Sequence, residues 1–147
     1  AGRDIEREIV PLAQSEGLAI LPWSPLAGGL LSGKFEPGKP GPEGARRSSS
    51  DFPPVNMDRL PGVLQALRTV AAETGHSVAR IALAWQLTRP FVTSVIIGAS
   101  RPSQVVDNVG ASGIELTAEE IAAIFGAMGL PCRKARMSRA TGTISAP

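Results

Sequence analysis

The stretch that most restricts the fold is Leu18 to Phe35. Here an apolar run, Leu18-Ala19-Ile20-Leu21, lies between Gly17 and Pro22, and Trp23-Ser24-Pro25-Leu26-Ala27-Gly28-Gly29-Leu30-Leu31-Ser32-Gly33-Lys34-Phe35 follows directly. The run is too short for a helix and suits a strand buried on both faces. The segment after it is loop chemistry. Gly28, Gly29 and Gly33 lack a Cβ, so backbone can approach a ligand closely or take positive φ, while Ser24 offers a hydroxyl and Lys34 a cation. Such a loop can hold a phosphate, or it can be a tight connection whose glycines serve backbone geometry alone.

A second stretch repeats the pattern. Val92-Thr93-Ser94-Val95-Ile96-Ile97 is short and β-branched, Gly98-Ala99 ends it, and Ser100-Arg101-Pro102-Ser103-Gln104 opens a helix with a capping serine and an early proline. Amide protons at a helix start are unpaired and carry partial positive charge, to which Arg101 adds a planar cation suited to a phosphate monoester. Gln104 and Asn108, four residues apart, share a helix face where amides can read a purine edge or a ribose. The alternative is a plain cap, a solvated arginine and two polar residues on an exposed face.

Trp23-Ser24-Pro25-Leu26-Ala27-Gly28-Gly29-Leu30 with Gly33-Lys34-Phe35, followed about seventy residues later by Ile97-Gly98-Ala99-Ser100-Arg101-Pro102 with Gln104 and Asn108, resembles the carboxyl-terminal half of an aldo-keto reductase. The resemblance covers roughly residues 3 to 128. It implies an α/β fold, the C-terminal portion of a (β/α)8 TIM barrel that is incomplete, with about two parallel strands and flanking helices. Leu18 to Leu21 would be the seventh strand and Val92 to Ile97 the eighth. It further implies NADP as cofactor. Trp23, Ser24, Pro25, Leu26, Ala27 and Gly28 would lie along the pyrophosphate and nicotinamide ribose, with Lys34 near the phosphates. Gly98, Ser100 and Arg101 would surround the adenosine 2′-phosphate, with Gln104, Asp107 and Asn108 by the adenine and its ribose. Arg101 favours NADP over NAD, because a fixed guanidinium rewards the additional phosphate.

At 147 residues the chain can bury a core, and 43% hydrophobic residues exclude a disordered polymer. A barrel of the resembled kind needs about 250 residues, so the chain is expected to be a piece of one whose start is internal. A net charge of +2 and a single cysteine, Cys132, favour a reducing, cytoplasmic setting with no bulk attraction to nucleic acid. No apolar run approaches a membrane span.

Elsewhere the pattern predicts helices. Asp4 would cap one carrying Ile5, Ile9, Leu12 and Ala13, with Gly17 stopping it. A helix over Met57 to Thr74 would bury Leu60, Val63, Leu64, Leu67, Val70 and Ala71, and Ser77 would cap another burying Val78, Ile81, Ala82 and Trp85. Thr117 to Glu120 forms a capping box before Ile121, Ile124, Phe125 and Met128. The proline- and glycine-rich stretch after Lys34 reads as a mobile flap or a solvated linker, with Arg46 as an added phosphate contact if it closes over the cofactor. The expected division is residues 1–129 as the partial barrel and 130–147 as a basic, disordered tail.

Chemistry limits the activity of the chain alone. In the resembled family, hydride from NADPH reduces an aldehyde or ketone while a tyrosine, tuned by lysine, aspartate and histidine, gives the proton. This chain has no tyrosine, and its one histidine, His76, sits between two helices with no carboxylate or nucleophile at a spacing that suggests catalysis. No catalytic residue and no metal ligand is assigned. Expected partners are NADP(H) and, if the other half is supplied, a small carbonyl substrate. Nucleic acid and membrane are not expected, and open strand edges offer a route to self-association. A non-catalytic NADP-binding or regulatory module is the alternative.

Overall fold

A computed structural model describes residues 4–36, 39, 41–43, 45, 47 and 50–129. Arg46 and the basic tail lie outside these residues. The described residues include the helices α1 (Ile9–Ser15), α2 (Leu60–Thr74), α3 (Val78–Leu87), α4 (Pro102–Val109) and α5 (Ala118–Ala127).

The helix α3 is at the centre because it is apolar on more than one side. The expected stripe was Val78, Ile81, Ala82 and Trp85; the structure buries the whole run from Ile81 to Trp85. One side joins Val63, Leu67 and Val70 of α2 and Ile124 and Phe125 of α5. The other side, through Leu83 and Ala84, packs with Ala111, Val95 and Ile97. A helix pressed between two layers must be apolar on both faces, and burial of each large side chain contributes about 1.5–3 kcal/mol. Ser77 caps α3 by accepting from the Arg80 amide at 3.1 Å.

The six residues expected on the buried face of α2 are all buried, and Gly75 ends the helix at φ +71°. This helix starts at Leu60 rather than Met57, because the Asn56 carboxamide accepts from the Asp58 and Arg59 amides and holds a turn before it. On α5 the Thr117 hydroxyl accepts from the Glu120 amide while Glu120 accepts from the Thr117 amide, the reciprocal box expected from the sequence.

The first helix differs from expectation. Asp4–Glu6 is a separate 3-10 turn, and α1 begins at Ile9 after Glu8. Val10 and Ala13 are its buried residues, whereas Ile5, Ile9 and Leu12 are exposed. Periodicity finds an apolar stripe, but only a packing partner makes it core.

The two expected strands appear as extended segments joined by two parallel pairings, Ile20 with Val92 and Trp23 with Ile96; no continuous strand forms among the described residues. Thr93 donates to the Ile20 carbonyl and Ile96 to the Pro22 carbonyl, each at 3.0 Å. Pro22 has no N–H to donate, which interrupts the ladder between the two pairings. Burial on both faces is corrected too. Val95 and Ile97 turn toward α3, while Leu18, Leu21 and Ile96 are at least half exposed.

Candidate functional site

Parallel pairing has a direct consequence for the two loops. Because Trp23 lies beside Ile96 and both segments run the same way, the chain leaves both at the same end. Ser24 and Gly98 therefore begin their loops within two residues of one pairing.

The first loop is folded on itself. Ala27 donates to the Ser24 carbonyl at 2.8 Å, Gly28 to the Ser24 hydroxyl at 3.3 Å, and Gly29 and Leu31 to the Leu26 carbonyl at 2.9 and 3.1 Å. These amides are internally paired, so the glycines shape the loop rather than present N–H groups to an anion. Ser24 and Ala27 have φ of +54° and +52°, left-handed values that disfavour any residue with a Cβ. Gly28 and Gly29 continue the same hand, and a Cβ on Gly33 would lie 2.9 Å from Val78 Cβ. Backbone strain in non-glycine residues clusters where geometry serves a function. Pro25 and Ala27 are buried, Leu26 is half-buried, and Trp23 is exposed.

Gln86, a polar residue in the apolar helix α3, anchors this loop. Its amide nitrogen donates to the Pro25 carbonyl at 2.9 Å and to the Ala82 carbonyl at 3.0 Å. The sequence signal is the lone carboxamide in Leu83-Ala84-Trp85-Gln86-Leu87, to which the sequence reading gave no role. Lys34 is exposed beyond Gly33, where the Arg68 guanidinium donates to the Phe35 carbonyl at 2.9 Å.

In the second loop the capping group is Gln104, not Ser100. Its carboxamide oxygen accepts from the Ser100 amide at 2.8 Å, the Ser100 hydroxyl at 3.1 Å and the Arg101 amide at 3.2 Å. Since these N–H groups are used and Pro102 has none, an anion here would meet side chains more than backbone. Arg101 is exposed and makes no ion pair among the described residues. Gly98 has nothing within 4 Å of where a Cβ would stand, which leaves room beside it. Asn108 is buried and Gln104 half-buried, so the face they share lies against the protein. Asp107 is occupied: one carboxylate oxygen accepts from the Ser77 hydroxyl at 2.7 Å and the other lies 2.8 Å from Arg80 Nε.

The stretch expected to be a flap touches the first loop. Phe52 stacks at a tilt on Trp23, ring centroids 5.4 Å apart, and its carbonyl would stand 3.4 Å from a Cβ on Gly28. Arg47 donates to the Pro53 carbonyl at 2.6 Å and passes close to Gly28. Thus the neighbour of Arg46, to which the sequence reading gave no role, is a described arginine that lies against Gly28. Beneath the loop is a cavity of about 320 Å³ lined by Trp23, Ser24, Pro53, Trp85, Gln86 and Arg89, among others. Trp85 is a core anchor, as its apolar spacing suggested, and the Arg89 guanidinium lies 4.8 Å from its ring centroid. His76 is half-buried after α2, its amide donating to the Ala71 carbonyl. Just beyond Phe35, a hydrogen bond from Lys39, and then its charge, hold the Glu36 carboxyl below its ordinary range.

No helix among the described residues is long and apolar enough to cross a membrane. A profile of the Aldo/keto reductase family matches residues 2–127. The chain is 37% identical over 113 residues to a putative voltage-gated potassium channel subunit beta of Schizosaccharomyces pombe, covering 72% of this chain and 32% of that protein. It is also 37% identical over 117 residues to an uncharacterized oxidoreductase of Bacillus subtilis, covering 80% and 34%. It therefore spans about a third of the length of these relatives. Among solved structures, a glycerol dehydrogenase from Gluconobacter oxydans matches with a TM-score of 0.70 and 29% identity, over 87% of this chain and 39% of that one. That neighbour has the TIM-barrel fold of a family that binds a nicotinamide cofactor and carbonyl substrates. Sequence profile, relatives and fold agree, and the chain belongs to the aldo/keto reductase family.

Proposed function

We propose that this chain is the cofactor-binding part of an NADPH-dependent reductase of aldehydes or ketones, and that it holds one NADP molecule between its two loops. The observation that carries the reading is the parallel pairing of Trp23 with Ile96, which starts both loops at one end. The donor chemistry fits a phosphorylated dinucleotide. Arg101 is an exposed cation without a carboxylate partner among the described residues, Ser100 carries a hydroxyl beside it, and Gly98 leaves open space. Trp23 to Gly28 would line the nicotinamide and pyrophosphate portion, with Lys34 near the phosphates, and Gln104, Asp107 and Asn108 would shape the adenosine end. When bound, the cofactor supplies the hydride. What the chain's own residues do is orient the dinucleotide and neutralise its charge.

Carbonyl reduction also needs an acid to protonate the developing alkoxide, and a positioned acid contributes about 10² to 10⁴ in rate. With no tyrosine here, that proton comes from a segment outside residues 1–147, in a longer chain or a partner. The exposed apolar side chains of α1 and of the extended segments favour such a partnership, since Ile9, Leu12, Leu18 and Leu21 are all at least half exposed.

The test is direct. NADPH added to the chain should give a saturable change in tryptophan fluorescence, and the change should diminish in Trp23→Phe. A folded chain whose fluorescence does not respond to NADPH at any concentration refutes the proposal.

A further inference from the structure

Helix α3 touches both loops, and it does so through polar contacts at its two ends. Near its start, Arg80 Nε lies 2.8 Å from the Asp107 carboxylate and 2.8 Å from the Asp107 carbonyl. Ser77, whose hydroxyl caps α3, donates to the other Asp107 oxygen at 2.7 Å. Asp107 belongs to α4, the helix that Arg101 opens. Near the other end of α3, Gln86 holds the Pro25 carbonyl of the first loop at 2.9 Å. Gln86 lies six positions after Arg80, about 9 Å along a helix. Between them Ile81 to Trp85 are buried, so the helix has little freedom to tilt.

We propose that α3 is the strut that sets the spacing of the two loops, with Arg80 and Gln86 as positioning residues for the adenosine end and the nicotinamide end of the dinucleotide respectively. This rests on the NADP reading above. Neither residue needs to touch the cofactor. Arg80 acts through Asp107, whose carboxylate is committed to Arg80 and Ser77, and fixes where α4 presents Arg101. Gln86 acts through Pro25, next to the left-handed Ser24, and fixes where the first loop presents its backbone. Gly110 completes the device: a Cβ there would lie 2.7 Å from Arg80 Cζ, so glycine lets the guanidinium lie against the end of α4. Groups that hold contact residues in place control affinity without contact of their own.

The test uses two ligands, NADPH and adenosine 2′,5′-bisphosphate, which presents only the adenosine end. By calorimetry, Arg80→Met should weaken both ligands about tenfold. Asp107→Asn, which keeps the side-chain size, should do the same and serves if Arg80→Met does not fold. Gln86→Leu should weaken NADPH about tenfold and leave the bisphosphate within about twofold. A merely structural role would lower both ligands together in all three variants, and that result, or no loss in any of them, overturns the proposal. If the unaltered chain binds neither ligand, the NADP reading itself fails and the strut falls with it. Binding by the unaltered chain with unchanged variants removes the strut alone.

Discussion

Gly33 gives the sharpest test of the first loop, because two independent penalties meet at one atom. Its φ is +81°, and an added Cβ would stand 2.9 Å from Val78 Cβ and 3.0 Å from Val78 Cγ2. Val78 is β-branched and begins α3, so it cannot rotate away cheaply. Gly75 provides the control: its φ is +71°, yet nothing lies within 4 Å of a Cβ there. For Gly75→Ala only the left-handed backbone is penalised, about 1–2 kcal/mol. Gly33→Ala adds overpacking against Val78, about 1–3 kcal/mol, for a total of about 2–5 kcal/mol. Urea unfolding followed by tryptophan emission resolves the two. With a slope of about 2 kcal/mol/M, the midpoint should fall by about 0.5–1 M for Gly75→Ala and by about 1–2.5 M for Gly33→Ala. Equal shifts would mean that the loop does not press on Val78. No shift at Gly33 would mean that the left-handed turn is absent.

Other outcomes follow from single contacts. Arg101→Ala should weaken NADPH by about 1–3 kcal/mol and leave NADH nearly unchanged in paired titrations; equal losses would refute its role at the 2′-phosphate. Thr117→Ala removes the hydroxyl that accepts from the Glu120 amide and should cost about 1 kcal/mol in urea unfolding. Glu36 has its pKa lowered by Lys39, so the pair's contribution is present at neutral pH and is lost as the pH falls through that lowered value. Both groups are well exposed, so Glu36→Gln should leave the thermal midpoint at pH 7 unmoved, and a fall of several degrees would contradict a solvated pair.

The residues most legible in the sequence are those whose role is set locally. The stripe of α2 from Leu60 to Ala71, the Ser77 and Thr117 caps and the Gly75 stop follow from 3.6-residue periodicity and from side-chain oxygens that meet nearby amides. Local pattern also marked the two loops, since glycine and proline after a short apolar run allow little else. It misled where a partner decides. Ile5, Ile9 and Leu12 have helical spacing but stay about half exposed, whereas Val10 and Ala13 are buried.

The resemblance of two short motifs to those of aldo/keto reductases was enough to indicate the family, and local pattern marked the ends of the two loops, because both signals depend on residues close together in the chain. Tertiary structure alone decided that Asp107 turns to Ser77 and Arg80, that Gln86 reaches Pro25 across 61 positions, and that Gly33 must yield to Val78. Each of these joins segments whose separation in sequence carries no trace of their distance in space. A side chain's partner is chosen by how helices pack, and packing is a property of the whole core.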